Sequence, residues 1–549
     1  MAGQVSIGNQ SFEDMRETKA FYVDKTSHIS TWWNSGVPVT LITRPRRFGK
    51  TLFLDTVNQF FSSAFQNQQE LFDGLAVWRD PAMRDLAGTI PVISLTFADV
   101  KVPTCEDAKA LIKAALSEVM DQFDYLIDSS ALTAKEQNYF RAFSMEVSDA
   151  VSLQGLKNLS AALYKHHGVR PIILLDEYDT PLLEAWEQGY WDELISYVRP
   201  LMNSTFKTNK FIRKALLTGI TRISKESIFS DLNNMHVIST TTSEYETAFG
   251  FTQEEVFQAM DDFGLTDKDA VRDWYDGFTF GQVRDIYNPW SITCYLREKK
   301  LKPYWMNTSS NLLISREVKS GGIGVKSSFE RLLQGLPIRA AIKEEIAFPE
   351  LGSGETALWS LMLASGYLRI AADNRDGTYD LQLTNREVRE GVQGLVEAWF
   401  TDRSTDDYDV FVRALLACDV ETMNLALQRL ALEMFSFFDA GSDQPERFYH
   451  GFVLGLLVTL RKRYVLTSNR ESGFGRYDIM LEPLDREHDK AFVLEFKVCT
   501  SGTPEAALKE AKEQIEDRRY ATALIARGIA PERIHAYGIV FDKKRVLVG

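Results

Sequence analysis

The stretch VPVTLIT (Val37–Thr43) is rich in β-branched residues, RPRRFGK breaks it, and TLFLDTVNQFFSSAF then carries apolar residues at helical spacing. The pattern predicts strand, loop and helix. A second strand is expected in TIPVISLTF (Thr89–Phe97), followed by a long helical region from about Glu106. A third, RPIILLDEYD (Arg170–Asp179), contains a continuous apolar run, as expected of a strand buried on both faces of a parallel sheet. A fourth lies in RKALLTGITRIS (Arg213–Ser224), after another helical stretch. Strands alternating with helices imply an α/β sheet.

Beyond Thr241 the texture changes to shorter helical pieces, among them TQEEVFQAMDDFG and the aromatic-rich WYDGFTFGQVRDIYNPWSI, which together read as a lid or small helical subdomain. Residues Ala357–Phe400 read helix, strand, turn at Asp376-Gly377, strand, helix, the order of a winged-helix-like module or of another small α+β unit. From about Gln444 a last unit reads as a helix, two strands around RYDIMLE and AFVLEFKV, a further helix and the terminal strand AYGIVFD. The expected division is 7–240, 241–300, 301–430 and 440–549.

A chain of 549 residues is too long for one core. Its 45% hydrophobic and 25% charged content is that of an ordinary globular protein. The net charge of −14 argues against coating nucleic acid through a global field and confines any such contact to local basic clusters. Cys105, Cys294, Cys418 and Cys499 are far apart, with no C-x-x-C pair for zinc and no disulfide framework, so a reducing cytoplasm is the expected compartment. The start has no signal-peptide-like apolar stretch, FVLGLLVTL (Phe452–Leu460) is too short to span a bilayer, and no membrane partner is expected. His166-His167 reads as a helix end rather than a ligand pair.

Two constellations carry chemistry. LITRPRRFGKT (Leu41–Thr51) closes with Gly49, Lys50 and Thr51, the end of G-x-x-x-x-G-K-[ST], at a strand-to-helix junction. There backbone N–H groups and the helix N-terminus bind phosphate, lysine reaches the β/γ phosphates and the hydroxyl coordinates Mg²⁺. Arg44 stands where the first glycine belongs. Asp176 and Glu177 lie at the carboxyl end of the apolar third strand, where open α/β sheets bind ligands. Asp176 is placed to hold magnesium through water, and Glu177 to polarise the attacking water. The plainer alternative is two solvated carboxylates. Thr218 and Arg222 follow the fourth strand; Arg222 is a candidate γ-phosphate sensor or one half of an ion pair.

In the second constellation, strand alternation sends Glu495 and Lys497 to one face and Leu494, Phe496 and Val498 to the other. If RYDIMLE pairs with this strand as a hairpin, Asp478 joins them. Two carboxylates and the Phe496 carbonyl suit Mg²⁺ or Mn²⁺, with Lys497 orienting water and stabilising phosphate charge. The alternative is a surface Glu/Lys pair on a ribbon.

YVDKT (Tyr22–Thr26), LITRPRRFGKT, LLDEYDTPL, LLTGITRISKESIFSDLNN, GFTQEEV, WYDGFTFG and YNPWSI together resemble the AAA-ATPase-like family of bacterial P-loop proteins, over residues 7 to about 295. The resemblance implies ATP binding through Lys50 and Thr51, with an entrance lined by Arg44, Arg46 and Arg47. Arg46, Arg47, Phe48, Gly49, Lys50, Thr51, Asp176 and Arg222 form the candidate nucleotide set, Thr51 and Asp176 serving the metal. From about Pro445 onward the chain resembles the PD-(D/E)xK nuclease superfamily, with Tyr477 in place of the motif's proline. That resemblance adds Glu446 to Asp478 and Glu495 as metal ligands, and Gln514 as a supporting polar group. Arg461, Lys462, Arg463, Arg470, Arg476, Arg518 and Arg519 lie where a nucleic-acid backbone would run.

The fold implied is α/β: a P-loop parallel-sheet domain, a helical and winged-helix-like middle and a C-terminal restriction-endonuclease-like domain. The function implied is an ATPase whose nucleotide state regulates a metal-dependent nuclease acting on DNA or RNA. The alternative is a non-nucleolytic ATP-driven switch whose C-terminal domain only binds nucleic acid or a protein partner. Self-association is left open by the sequence.

Overall fold

The computed structural model describes residues 3–222, 234–308, 323–343, 354–401, 405–435, 453, 457, 460, 463–472, 475–499, 502–517, 521–542 and 545–549. Contacts divide the chain into two units, one of 1–317 with 337–390 and the other of 318–336 with 391–549.

The first unit is built on five strands: β1 (Val39–Thr43), β2 (Val92–Thr96), β3 (Ile172–Asp176), β4 (Lys214–Gly219) and β5 (Met235–Ile238). All pair in parallel, in the order β2-β3-β4-β1-β5. β1, β3 and β4 are buried along their whole length, which is why their sequences show no polar alternation. The short edge strand β5 is only partly buried and contains His236, so its pattern does not announce it. One face of the sheet (Leu41, Leu95, Ile173, Leu175, Leu217) packs on Ile112 and Leu116 of α1 (Cys105–Asp121) and on Leu159 and Leu163 of α2 (Gly155–His167).

The register sets the strand ends side by side, with Thr43 opposite Gly219 and Thr96 opposite Asp176. Because β4 lies between β1 and β3, a residue leaving β4 reaches both the loop after β1 and the carboxylates after β3. Gly219 makes this possible: a Cβ there would lie 2.6 Å from both Asp179 Oδ1 and a Tyr178 ring carbon.

The region after Thr241 is not all helical. Around α3 (Gln253–Asp262), α4 (Lys268–Tyr275) and α5 (Pro289–Glu298) the chain forms a three-stranded antiparallel sheet of β6 (Phe251–Thr252), just before α3, and β7 (Phe278–Phe280) and β8 (Val283–Tyr287), between α4 and α5. The expected run of helices is corrected here: Phe278 and Phe280 are buried while Thr279 is half-buried, the alternation of a strand. A capping box of Thr252 and Glu255 starts α3, and Lys25 from YVDKT pairs with the same Glu255 at 2.7 Å. The winged-helix-like order appears as α6 (Glu355–Ala364), β10 (Leu368–Asp373), β11 (Thr378–Leu383) and α7 (Arg386–Thr401), with β9 (Ile338–Ala341) added beside β11.

The second unit holds β12 (Tyr464–Ser472), β13 (Gly475–Pro483), β14 (Ala491–Val498), β15 (Ile534–Asp542) and β16 (Arg545–Val548) in sequential order, with only β14 and β15 parallel. Phe492, Leu494 and Phe496 face a core with Phe411, Leu415 and Leu427, while Val493 faces the opposite side with Leu524 and Ile529. RYDIMLE and AFVLEFKV are adjacent antiparallel strands, as the hairpin reading required.

Gly219→Ala should lower stability by roughly 1–3 kcal/mol, because Asp179 and Tyr178 are both fully buried and cannot swing aside. An unchanged urea midpoint would show that the strand ends are less tightly packed than these distances require.

Candidate nucleotide and phosphodiester sites

The loop from Arg44 to Gly49 leaves β1 and enters the helix α8 (Lys50–Phe61). Arg44 does not line its entrance. The side chain is fully buried, donating from Nη1 to the carbonyls of Thr43 (2.9 Å) and Ser239 (2.7 Å) and from Nη2 to that of Tyr245 (3.3 Å), with its guanidinium 4.5 Å from the Phe280 ring centre. Burial pushes its pKa down to about 9, against the favourable field of Glu246. The arginine-lined entrance thus reduces to Arg46 and Arg47.

The bend that a first glycine would make occurs later. Arg47 and Gly49 both have positive φ, 65° and 81°, and such alternation turns successive N–H groups into an anion-binding concavity. Arg47 stacks over Trp290 at 4.4 Å. Phe48 buries its ring against Phe278 and Phe280, at 4.9 and 5.4 Å, so it anchors the loop to the β7–β8 hairpin. Lys50 Nζ donates to the loop carbonyls of Arg44 (3.0 Å) and Pro45 (2.9 Å). Burial lowers its pKa, and the carboxylates of Asp176, Glu177 and Asp179 oppose that shift.

Asp176 gathers the three central strands. It accepts from Thr51 Oγ1 at 2.5 Å and, through its other oxygen, from Thr218 Oγ1. Glu177 has φ 50°, a left-handed conformation that costs a non-glycine residue about 1 kcal/mol or more, and its carboxylate accepts from Thr180 Oγ1 at 2.9 Å. Asp179 is fully buried and accepts from the backbone N–H of Ile220 (3.0 Å) and Thr221 (2.8 Å) and from the Thr221 hydroxyl (2.8 Å), tying β3 to the end of β4. Burial raises its pKa. Arg222 lines a small cavity with Thr43, Ser239 and Lys343.

In the second unit, Glu495 is buried on β14 and accepts from the Gln514 side-chain amide on the helix α9 (Pro504–Asp517). Lys497, two residues on, is half-buried, with Nζ 3.7 Å from the exposed Glu510 of the same helix. Ile479 pairs with Leu494. Asp478 is in β13, but its side chain lies outside the described residues, as do Glu446, Arg461, Lys462, Arg518, Arg519 and the side chains of Arg470 and Arg476. Arg463 is described and is not a free phosphate contact: it grips buried Asp489 with Nε at 2.8 Å and with Nη2. Among the described residues, no group of three or more His, Cys, Asp and Glu side chains could hold a metal ion, and no helix is long and apolar enough to cross a membrane.

Residues 6–229 match the predicted AAA-ATPase family, and residues 444–549 match the PD-(D/E)XK nuclease superfamily. The chain therefore joins an AAA-ATPase-like domain to a PD-(D/E)XK nuclease-superfamily domain. Over its full length it is 27% identical to an "Uncharacterized protein in vnfD 5'region" of Azotobacter chroococcum mcd 1, of which 98% is covered. A chain in "Structure of Drosophila ORC bound to AT-rich DNA and Cdc6" aligns with 70% of this chain and 93% of its own length, at 11% identity and a TM-score of 0.19, too low to carry an argument.

Within the AAA-ATPase-like domain, sequence reasoning named Lys50, Thr51, Asp176 and Glu177, and missed Thr180 and the inward turn of Arg44. Thr180 is the first residue of the helix that follows LLDEYD, where its hydroxyl turns back to Glu177. Arg44 carries no sequence signal for burial.

Arg44→Gly restores the usual first glycine, yet it should destabilise the AAA-ATPase-like domain by at least about 3 kcal/mol, since several buried carbonyls lose their donor. Chemical denaturation measures this, and a neutral or stabilising result would refute the anchor. Arg463→Gln should lower the stability of the C-terminal domain while leaving the salt dependence of any nucleic-acid binding unchanged.

Proposed function

We propose that the AAA-ATPase-like domain binds and hydrolyses ATP, and that the C-terminal domain is a nuclease cleaving DNA or RNA with Mg²⁺ or Mn²⁺ under control of the nucleotide state. The observation that carries the first part is Lys50, a buried cation whose Nζ bonds are to carbonyls of its own loop, beside a concavity made by Arg47 and Gly49. A phosphate oxygen replaces those weak acceptors with a full counter-charge. Backbone N–H groups of the loop and the N-terminus of α8 hold the remaining oxygens.

The donor set suits ATP with magnesium: Thr51 and Asp176 would hold the ion, which supplies charge neutralisation between the β and γ phosphates when bound. Thr218 fixes one oxygen of Asp176, leaving the other directed to Thr51. Glu177, steadied by Thr180, orients water and takes its proton. Arg46 and Arg47 flank the phosphate chain, and Arg222 remains a candidate sensor.

In the C-terminal domain, continuing the β13–β14 register by one step sets Asp478 across from Glu495. Those carboxylates would hold the divalent ion, joined by Glu446, and Lys497 on the same face as Glu495 would orient water and stabilise the developing phosphate charge. Gln514 keeps Glu495 in place. Arg461, Lys462, Arg470, Arg476, Arg518 and Arg519 supply the phosphate contacts. Control by nucleotide finds its support in the β7–β8 hairpin, which is packed on the loop through Phe48, Arg44 and, just beyond β8, Trp290.

Lys50→Ala should abolish ATP binding, and Glu177→Gln should keep binding while losing hydrolysis; equal nucleotide affinity in Lys50→Ala would refute the loop assignment. Lys497→Ala should eliminate metal-dependent cleavage of a DNA and RNA panel while ATP hydrolysis persists. Cleavage by Glu177→Gln, compared with ATP, with ADP and without nucleotide, should differ among the three states. Identical rates at saturation would leave two uncoupled enzymes, and no cleavage by the wild type would favour the non-nucleolytic switch.

A further inference from the structure

The Arg46 carbonyl is one corner of a closed ring of hydrogen bonds. It accepts from Asn288 Nδ2 (3.3 Å) and from Trp305 Nε1 (3.1 Å). The Trp305 backbone N–H donates to Glu387 Oε1 (2.6 Å), and Ser291 Oγ donates to Glu387 Oε2 (2.8 Å). Ser291 N–H closes the ring on Asn288 Oδ1 (3.3 Å). Asn288, Ser291 and Glu387 are fully buried and Trp305 is nearly so. Among the described residues, Glu387 has no ion-pair partner. The titratable groups facing it are Tyr275 from α4, Cys294 from α5 and Tyr304 from the segment before Trp305, all neutral in their ordinary forms. Arg386, its neighbour on α7, is engaged with Asp273 and Glu390.

A buried carboxylate without a cation is costly to retain for packing alone. Its geometry gives it a use. In a trans peptide, C=O and N–H point in opposite directions, so whatever fixes the Arg46 carbonyl also fixes the Arg47 N–H. That N–H belongs to the residue with φ 65° that opens the phosphate concavity.

We propose that Glu387 is a positioning residue for the phosphate loop: through Trp305 and the Ser291–Asn288 arm it clamps the Arg46 carbonyl and so aims the Arg47 N–H at the nucleotide phosphates. The inference rests on the ATP-binding reading above. It also gives nucleotide occupancy a route to the first turn of α7.

Burial pushes the Glu387 carboxyl up to about 7, opposed by its bonds from Ser291, Trp305 and Met306. Above that pH the carboxylate accepts from both donors. Below it the added proton faces groups that are themselves donating, and the clamp loosens.

The test is steady-state ATP hydrolysis by the full chain, with Trp305→Phe and Glu387→Gln, singly and combined, after thermal unfolding has shown each to be folded. Trp305→Phe removes only the donor to Arg46 and keeps the backbone bond to Glu387. Each single variant should raise KM for MgATP about tenfold with a smaller change in kcat, and the double variant should be little worse than either, because both act along one path. The wild-type KM should fall as pH rises through about 7, and Glu387→Gln should flatten that profile. Unchanged KM in the variants, or multiplying effects in the double, would overturn the clamp while leaving ATP binding intact. Failure of the wild type to bind ATP would overturn both.

Discussion

A guanidinium sealed from solvent governs how the first unit is assembled. Arg44 sits where a phosphate loop ordinarily has its most permissive residue, and its charge is spread over three backbone carbonyls and one aromatic face. Burying a cation this way is tolerable only because fixed carbonyls meet its two Nη groups, while Nε is left without a hydrogen-bond partner. The end of β1, the segment after β5 at Ser239, the Tyr245 turn and the tip of β7 must therefore converge on one point. That convergence brings the aromatic hairpin against the loop and lets Phe48 and Arg47 find their ring partners. The cost is flexibility at the loop's first position. The left-handed backbone appears instead at Arg47 and Gly49.

The carboxylate side follows from strand order. With β4 between β1 and β3, Thr218 reaches Asp176 from one direction and Thr51 from the other. Asp179 then pins the β3 exit to the β4 exit through two backbone N–H groups and a hydroxyl. The strained backbone of Glu177 lies within this brace, which over-determines its position. Strain of that kind persists only where the surroundings hold it, and here they hold it at a carboxylate directed toward Thr180.

The sequence made legible whatever was written locally. β-branched content located β1, a continuous apolar run located β3 and alternation with helices located β4, while Gly-Lys-Thr and Asp-Glu located the loop and the strand end it faces. The Glu-x-Lys alternation placed Glu495 and Lys497 on one face of β14, and Gln514 does meet Glu495. Features that depend on distant partners were illegible. β5 is an edge strand recognisable only by its register with β1. The β7–β8 hairpin competes with flanking helices of similar composition. Arg44 stood out for replacing the first glycine, but its burial was illegible because two of its three acceptors, the carbonyls of Ser239 and Tyr245, lie about two hundred positions away. Glu387 drew no notice in the sequence, being one glutamate in a polar helix start.

Arg463 and Arg44 teach the same physical point from opposite ends of the chain. In a protein with 76 acidic and 62 basic side chains, an arginine meets carboxylates and carbonyls of its own fold before it meets any external phosphate. Arg463 is taken up by Asp489, as Arg527 and Arg486 are by the buried Glu482. Each such pair removes a cation from the surface field without leaving a trace in the sequence. A basic cluster in an acidic chain therefore marks a phosphate site only where the backbone also offers N–H donors and an uncompensated buried charge. Of the described basic residues, Lys50 meets both conditions: it is buried with its Nζ on the neutral carbonyls of Arg44 and Pro45, beside the left-handed residues Arg47 and Gly49.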